Sequence, residues 1–426
     1  MAFIPSFTSI VRIVGGVLVV SLISTAGLLY RYQTSLIYPS CFPTGSKTQV
    51  STPDEYDLPY TEEELITPDS QRLRIFVLLQ GTKLSPRRGP ASKVQARQDQ
   101  EPQQLERKST QTQTGMAPVD TFDAQLASKR PTILFLHANA GNMGHRLPLA
   151  AVFFKRFGCN VVMLSYRGYG FSTGSPNERG IKIDTQTTLD FIRAHPSLSS
   201  TVLVAYGQSI GGAVAIDLAA RNPASVQALI LENTFLSIPE LIPHLLPPVR
   251  PFTFLCREYW CSGLTITKIT EKAPTLFLSG RQDELVPPSH MDALFERCTS
   301  SVKVKKEFND GTHNDTCIKQ GYFEAVAEFL LQHVVTLVRD KVGQQEEGQQ
   351  EEGQQEEGQQ EKGQQEEGKH NVAKRANAGK KEASGDEDDW VQMTHSEVKE
   401  VVGEKVDQVR SEQDGDAPML SKVPKL

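Results

Sequence analysis

From residue 131 to 340, apolar runs of strand length alternate with amphipathic runs of helix length. That alternation predicts an α/β protein with a mostly parallel sheet, helices on both faces and a large buried core. Upstream, "EELITPDSQRLRIFVLLQ" reads as a strand, a turn at "PDS" and a second strand ending near Gln80. Residues 81–128 break the pattern with Gln, Ser, Pro and charged residues and no apolar period. They are expected to be a disordered insertion between residues 31–80, where the domain starts, and its core at 129–340. Their basic excess makes anionic headgroups a conceivable contact, but scattered charge favours a solvated loop.

At the other extreme of pattern, Ile13 to Tyr30 ("IVGGVLVVSLISTAGLLY") carries no charge over 18 residues. As a helix it would be about 27 Å long, just enough to cross a bilayer. Arg12 and Arg31 bracket it, and Tyr30 and Tyr32 stand where interfacial aromatics sit. An uncleaved single-pass anchor in the endoplasmic reticulum or plasma membrane is the expectation. The rival is a signal peptide cut after "STA" at Ala26, although the apolar stretch is long for one. One arginine on each side leaves the orientation open.

The tail from 341 to 426 is expected to be disordered. It holds a "GQQEE" repeat from Gly343 to Glu367, where a glycine in each unit costs a helix about 1 kcal/mol. Beyond it, Trp390 in "DEDDWVQM" is a lone aromatic in an acidic setting, a candidate contact for a protein partner of the tail and a weak signal by itself. From Gly343 onward there are 21 acidic and 11 basic residues, so most of the acidity behind the formal charge of -6 lies in the tail. No basic stripe with interleaved aromatics appears, and nucleic acid is not an expected partner. Six cysteines form neither a Cys-x-x-Cys motif nor a small-scaffold framework. Free thiols are expected, with Cys256 and Cys261 the pair that an oxidising lumen would join.

The candidate chemistry centres on "TVLVAYGQSIGGAVAIDLAA", where Gly207, Ser209 and Gly211 fit G-x-S-x-G between a predicted strand and helix. The turn this motif makes is so tight that flanking side chains would collide, and it lifts the serine onto the helix N-terminus. A serine hydroxyl needs a base, and the base needs an orienting acid. Asp283 follows "PTLFLSG", the seventh predicted strand, and His313 follows "VKVKKEF", the eighth. The order Ser, Asp, His is that of an α/β-hydrolase. Glu284 is the fallback acid. Oxyanion donors are expected from the N–H of Ile210 and, in the loop after the third strand, that of Asn139. His137, at that strand's end, is expected to shape the loop rather than act as the base.

Eight ordered stretches, "LIYPS", "ITPD", "HANAGNMGHR", "SYRGYGFSTGSPNERG", "GQSIGGAVAI", "LENTFLSIP", "SGRQDELVPPSHM" and "GTHNDTC", resemble the Bem (bud-emergence) family of membrane-anchored α/β-hydrolases, related to animal ABHD proteins. The resemblance covers about residues 28–80 and 130–335. It implies an eight-stranded hydrolase sheet, an N-terminal anchor, and Ser209, Asp283 and His313 as the triad. One departure is Ala138, where the family usually has glycine. If that position needs a positive φ, alanine costs about 1 kcal/mol or more.

Residues 234–268 are rich in Leu, Pro, Phe, Tyr and Trp and read either as a small apolar cap or as a packed excursion of the core. The expected reaction is hydrolysis of a carboxylic ester or thioester in a lipid or acylated protein, without a cofactor or metal. A peptidase, an acyltransferase and a membrane scaffold with a vestigial triad are the alternatives. "NDT" at Asn314 is a glycosylation sequon. A glycan there would crowd His313, which points weakly to a cytosolic face.

Overall fold

The computed structural model describes residues 7–84 and 119–341. The repeat, Trp390 and the middle of the 81–128 insertion lie outside them. By its contacts the chain divides into Met1–Thr316 and Cys317–Leu426. The second unit, in its described part, holds a helix, Tyr322–Phe329, running into a π-helical turn, Leu330–Val334.

The first unit is built on eight strands: β1 (Thr61–Ile66), β2 (Arg72–Leu78), β3 (Thr132–Leu136), β4 (Asn160–Ser165), β5 (Leu203–Gln208), β6 (Ala228–Glu232), β7 (Thr275–Gly280) and β8 (Lys303–Phe308). They form one sheet in the order β1-β2-β4-β3-β5-β6-β7-β8. The β1–β2 and β2–β4 pairs are antiparallel and the rest parallel. The central strands are buried along their whole length, as a parallel sheet covered on both faces requires. Gln208 pairs with Glu232, Glu232 with Leu278, and Gly280 with Phe308. This register brings the carboxyl ends of β5 to β8, and the loops that follow them, to one edge.

Helix α1 (Phe7–Ile37) extends beyond the uncharged run at both ends. Val11–Ile37 is long and apolar enough to cross a membrane by length and composition. Its far end is fastened to the rest of the unit. Gln33 Nε2 donates to Leu255 O at 3.2 Å, and Arg257 N donates to Gln33 Oε1 at 2.6 Å. Tyr38 OH donates to Glu258 Oε2 at 2.7 Å and accepts from Trp260 Nε1 at 2.8 Å.

Two segments differ from the expectation of a structureless insertion. Thr82–Leu84 pairs antiparallel with Val119–Phe122, and a short helix, Ala124–Ser128, follows. Asp123 caps that helix by accepting from Leu126 N at 3.1 Å, so a local hydrogen bond orders residues too few to show a period. The 234–268 segment is packed unevenly. Trp260, Ile266, Leu236 and Ile238 join the core, whereas the 3₁₀ stretch Pro247–Leu255 buries no residue. All six cysteines are free thiols, Cys256 and Cys261 included.

Arg167, in the loop after β4, joins three segments. Its Nη1 lies 2.7 Å from Asp69 Oδ2 in the β1–β2 turn, and its Nε lies 2.9 Å from Asp184 Oδ1 on the helix Glu178–Ala194. Asp184 is fully buried, and removing its partner leaves a buried charge uncompensated. Arg167→Ala is therefore expected to destabilise the protein by about 3–5 kcal/mol, measured by denaturant unfolding of the detergent-solubilised chain.

Candidate active site

Helices α2 (Leu147–Lys155) and α3 (Glu178–Ala194) follow β3 and β4, and beyond β5 the chain turns into helix α4 (Ile210–Arg221). Ser209 sits in that turn with φ 55° and ψ -122°, a strained conformation for a residue with a side chain. A Cβ on Gly207 would stand 2.1 Å from Gly211 O, and one on Gly211 would stand 2.0 Å from Leu136 O. Neither contact is possible, which is the physical reason for glycine at both positions. The turn is held from β6: Ser209 N donates to Glu232 O at 2.9 Å, and Thr234 Oγ1 donates to Ser209 O at 2.7 Å. The Ser209 residue is 7% exposed, and its hydroxyl makes no hydrogen bond among the described residues.

Asp283 and His313 come together in the loops after β7 and β8. His313 Nδ1 lies 2.8 Å from Asp283 Oδ2, with both side chains buried. The other carboxylate oxygen accepts from Leu285 N at 2.9 Å and Val286 N at 2.7 Å, which fixes the plane of the acid. Glu284 touches only the main chain of the histidine, accepting from His313 N at 3.2 Å. The geometry thus favours Asp283 over the fallback. No hydrogen bond joins Ser209 to the His313 ring; in unliganded hydrolases this contact is commonly loose.

Two residues given no role by motif reasoning link these loops. Asn233 accepts from Gly280 N at 2.8 Å through Oδ1, and its Nδ2 donates to Thr312 O, His313 O and Thr316 Oγ1. It stands at φ 45°, a region that asparagine tolerates better than most residues. Gln208, next to Ser209, donates to His313 O at 3.2 Å and to the buried Glu232 at 3.3 Å. The only local signal for Asn233 is an asparagine directly after a strand, in "LENTF".

The two oxyanion candidates follow paired strands, Ile210 after β5 and Asn139 after β3. Ile210 is the first residue of α4, where an N–H has no partner within its helix. Asn139 is fixed from two sides: its O accepts from Tyr169 OH at 2.8 Å, and its Nδ2 donates to Ile37 O at the end of α1 at 3.3 Å. Ala138 is not among the residues with positive φ, so the cost foreseen for alanine does not arise. His137 is buried between Tyr166 and Tyr169, with ring centroids 4.1 and 4.9 Å away, and its Nδ1 lies 2.7 Å from Ala138 O. It faces the tyrosines rather than the acid loop.

A family described as "alpha/beta hydrolase fold" matches residues 131–252. Protein bem46 of Schizosaccharomyces pombe is 44% identical over 308 residues, covering 72% of this chain and 88% of that protein. The chain belongs to the Bem family of α/β-hydrolases, related to the ABHD proteins. An uncharacterized membrane protein of Saccharomyces cerevisiae is 36% identical over 318 residues, covering 75% of this Bem-family chain and 95% of the relative. The α/β-hydrolase domain-containing protein WAV2 of Arabidopsis thaliana is 32% identical over 347 residues, covering 78% and 96%. Among solved structures, an α/β-hydrolase of Vibrio vulnificus matches with TM-score 0.50 at 14% identity, over 71% of the Bem-family chain and 94% of its own. That likeness concerns the fold alone.

Complete burial pushes the His137 imidazole down to about 3. Below its ordinary value of about 6.5, the unfolded chain binds a proton that the folded chain refuses. The stability due to neutral His137 is therefore intact above pH 6.5 and lost as pH falls toward 3. Wild type should lose about 2–3 kcal/mol more than His137→Gln between pH 7.5 and pH 4.5, measured by unfolding at both pH values.

Proposed function

We propose that the chain is a membrane-anchored serine hydrolase that cleaves a carboxylic ester or thioester of a lipid or acylated protein through an acyl-enzyme on Ser209. The observation that carries this reading is the 2.8 Å pairing of His313 with Asp283, tied through Gln208 and Asn233 to the strand ends that hold Ser209. With its Nδ1 proton donated to Asp283, His313 offers the Nε2 lone pair as a base.

Ser209 Oγ attacks the carbonyl carbon as its proton passes to Nε2, and the carbonyl electrons move onto oxygen. The N–H groups of Ile210 and Asn139 receive that oxyanion. Its collapse expels the alcohol or thiol, which takes the proton from His313 and leaves the acyl group on Ser209. Water then attacks the acyl carbon, again giving its proton to His313. Collapse of this second tetrahedral intermediate breaks the bond between the acyl carbon and Oγ, the proton on His313 passes to Ser209 Oγ, and the free acid departs.

Membrane attachment rests on α1, with Ile13–Tyr30 as the spanning stretch. A relative described as a membrane protein agrees with it. The Ile37–Asn139 hydrogen bond joins the end of α1 to the loop proposed to receive the oxyanion, and so favours a substrate delivered at a membrane.

The detergent-solubilised full chain is expected to be labelled by a fluorophosphonate probe, with labelling absent in Ser209→Ala and lowered about 10³-fold or more in His313→Ala. An unlabelled wild type, beside a control hydrolase that labels, overturns the reading. Asp283→Asn should lower ester turnover about 10⁴-fold, by releasing the wrong imidazole tautomer. Glu284→Gln, which alters only a main-chain contact, should stay within about tenfold of wild type; the reverse ranking in steady-state assays would reassign the acid.

A further inference from the structure

Outside α1, five of the large apolar or aromatic side chains left exposed among the described residues fall close together in the chain: Leu245, Leu246, Phe254, Tyr259 and Leu264. Ile66, Phe171, Val304 and Ile318 are scattered elsewhere. The first three belong to the stretch formed by the end of the helix Ile238–Leu245 and the 3₁₀ segment Pro247–Leu255. No acidic residue occurs between Glu240 and Glu258, while Arg250 and Arg257 do. Exposed apolar groups interleaved with arginines and free of carboxylates suit a lipid surface, where acyl chains lie beneath phosphates.

The height of this stretch is set by α1. The uncharged run ends at Tyr30, and Arg31 marks where the helix leaves hydrocarbon. Gln33 is three residues further on, about 5 Å along the axis, and it holds Leu255 O and Arg257 N. Arg257 reaches back, lying 4.4 Å over the Tyr30 ring and donating from Nη2 to Tyr30 O at 3.1 Å. Residues 255–257 are thereby fixed at the level where a spanning α1 meets the headgroups, and Phe254, 76% exposed, is the next residue.

We infer that residues 245–257 rest in the interfacial layer of the bilayer, with Leu245, Leu246 and Phe254 entering the acyl boundary and Arg250 among the lipid phosphates. This surface continues that of α1, which is why its occupant is the membrane rather than a second copy or another protein. It rests on the reading of α1 as a membrane anchor. The same segment borders the candidate site, because His244 Nε2 lies 3.2 Å from the carbonyl of Glu284, the neighbour of Asp283.

The test reconstitutes the full chain in phosphatidylcholine vesicles containing phosphatidylserine, with a benzophenone amino acid replacing Val17, Phe254 or Val304 one at a time, and measures photo-crosslinking to lipid. Val17 lies within α1 and Val304 on β8, and all three side chains are exposed, so folding should survive each replacement. Position 254 is expected to crosslink lipid about tenfold or more above position 304, as partitioning of a phenylalanine-sized group implies, and comparably to position 17. Crosslinking at 17 with only the level of 304 at 254 overturns the interfacial placement and leaves the anchor standing. Crosslinking at neither 17 nor 254 removes the anchor, and the placement with it.

Discussion

Main chain meets main chain where β5 becomes α4, and the geometry of the site follows from that contact. With no Cβ on Gly207 or Gly211, the first turn of α4 rests against the end of its own strand and against Leu136 of β3. Ser209 is thereby driven into a backbone conformation with φ 55°. Such strain persists only where the surroundings over-determine it, and here β6 supplies the restraint through Glu232 O and Thr234 Oγ1. Conformation at one residue is thus set by three neighbouring strands.

Beneath the turn lies a polar layer in which each group has a task. Tyr206 OH donates to Glu232 Oε2 at 2.6 Å, Gln208 reaches both Glu232 and the base loop, and Asn233 spans from β7 to the residues around His313. Buried polar groups of this kind cost about 1–3 kcal/mol each if left unpaired. The loops of Asp283 and His313 therefore take their positions from strand ends rather than from their own conformational preferences. A site supported in this way is held more closely than one formed by loops alone.

The eight strands and the order Ser, Asp, His were legible because each is a local signal: an apolar run, a glycine-flanked serine, a polar residue just past a strand. Asn233 and Gln208 were not, since their importance lies in contacts to residues about 80 and 105 positions away, which leave no period in the chain. The edges of the 81–128 insertion escaped for another reason. Strands of three and four residues are too short to alternate visibly, and they gain stability from pairing with each other across the intervening segment. Hydropathy likewise located the uncharged part of α1 but not its full length, because Arg31 to Ile37 continue the helix with polar residues, of which Gln33 finds partners at Leu255 and Arg257. Resemblance to a family implies roles for Ser209, Asp283 and His313, whereas the backbone of Ala138 stays out of the left-handed region for reasons that lie in the fold.

The joint between α1 and the 255–260 segment also has a consequence for the order of events during synthesis. Tyr38 and Glu258 are 220 positions apart, and Gln33 and Leu255 are 222 apart, so a ribosome makes one half of the joint long before the other. The apolar helix emerges first and can be inserted into a bilayer by itself, since its backbone hydrogen bonds are internal. Gln33 and Tyr38 must then wait, hydrated, until residue 260 has left the exit tunnel. Seating of the sheet on this helix thus belongs to the later stages of folding, and any nascent chain that stalls earlier remains a helix with no α/β core attached.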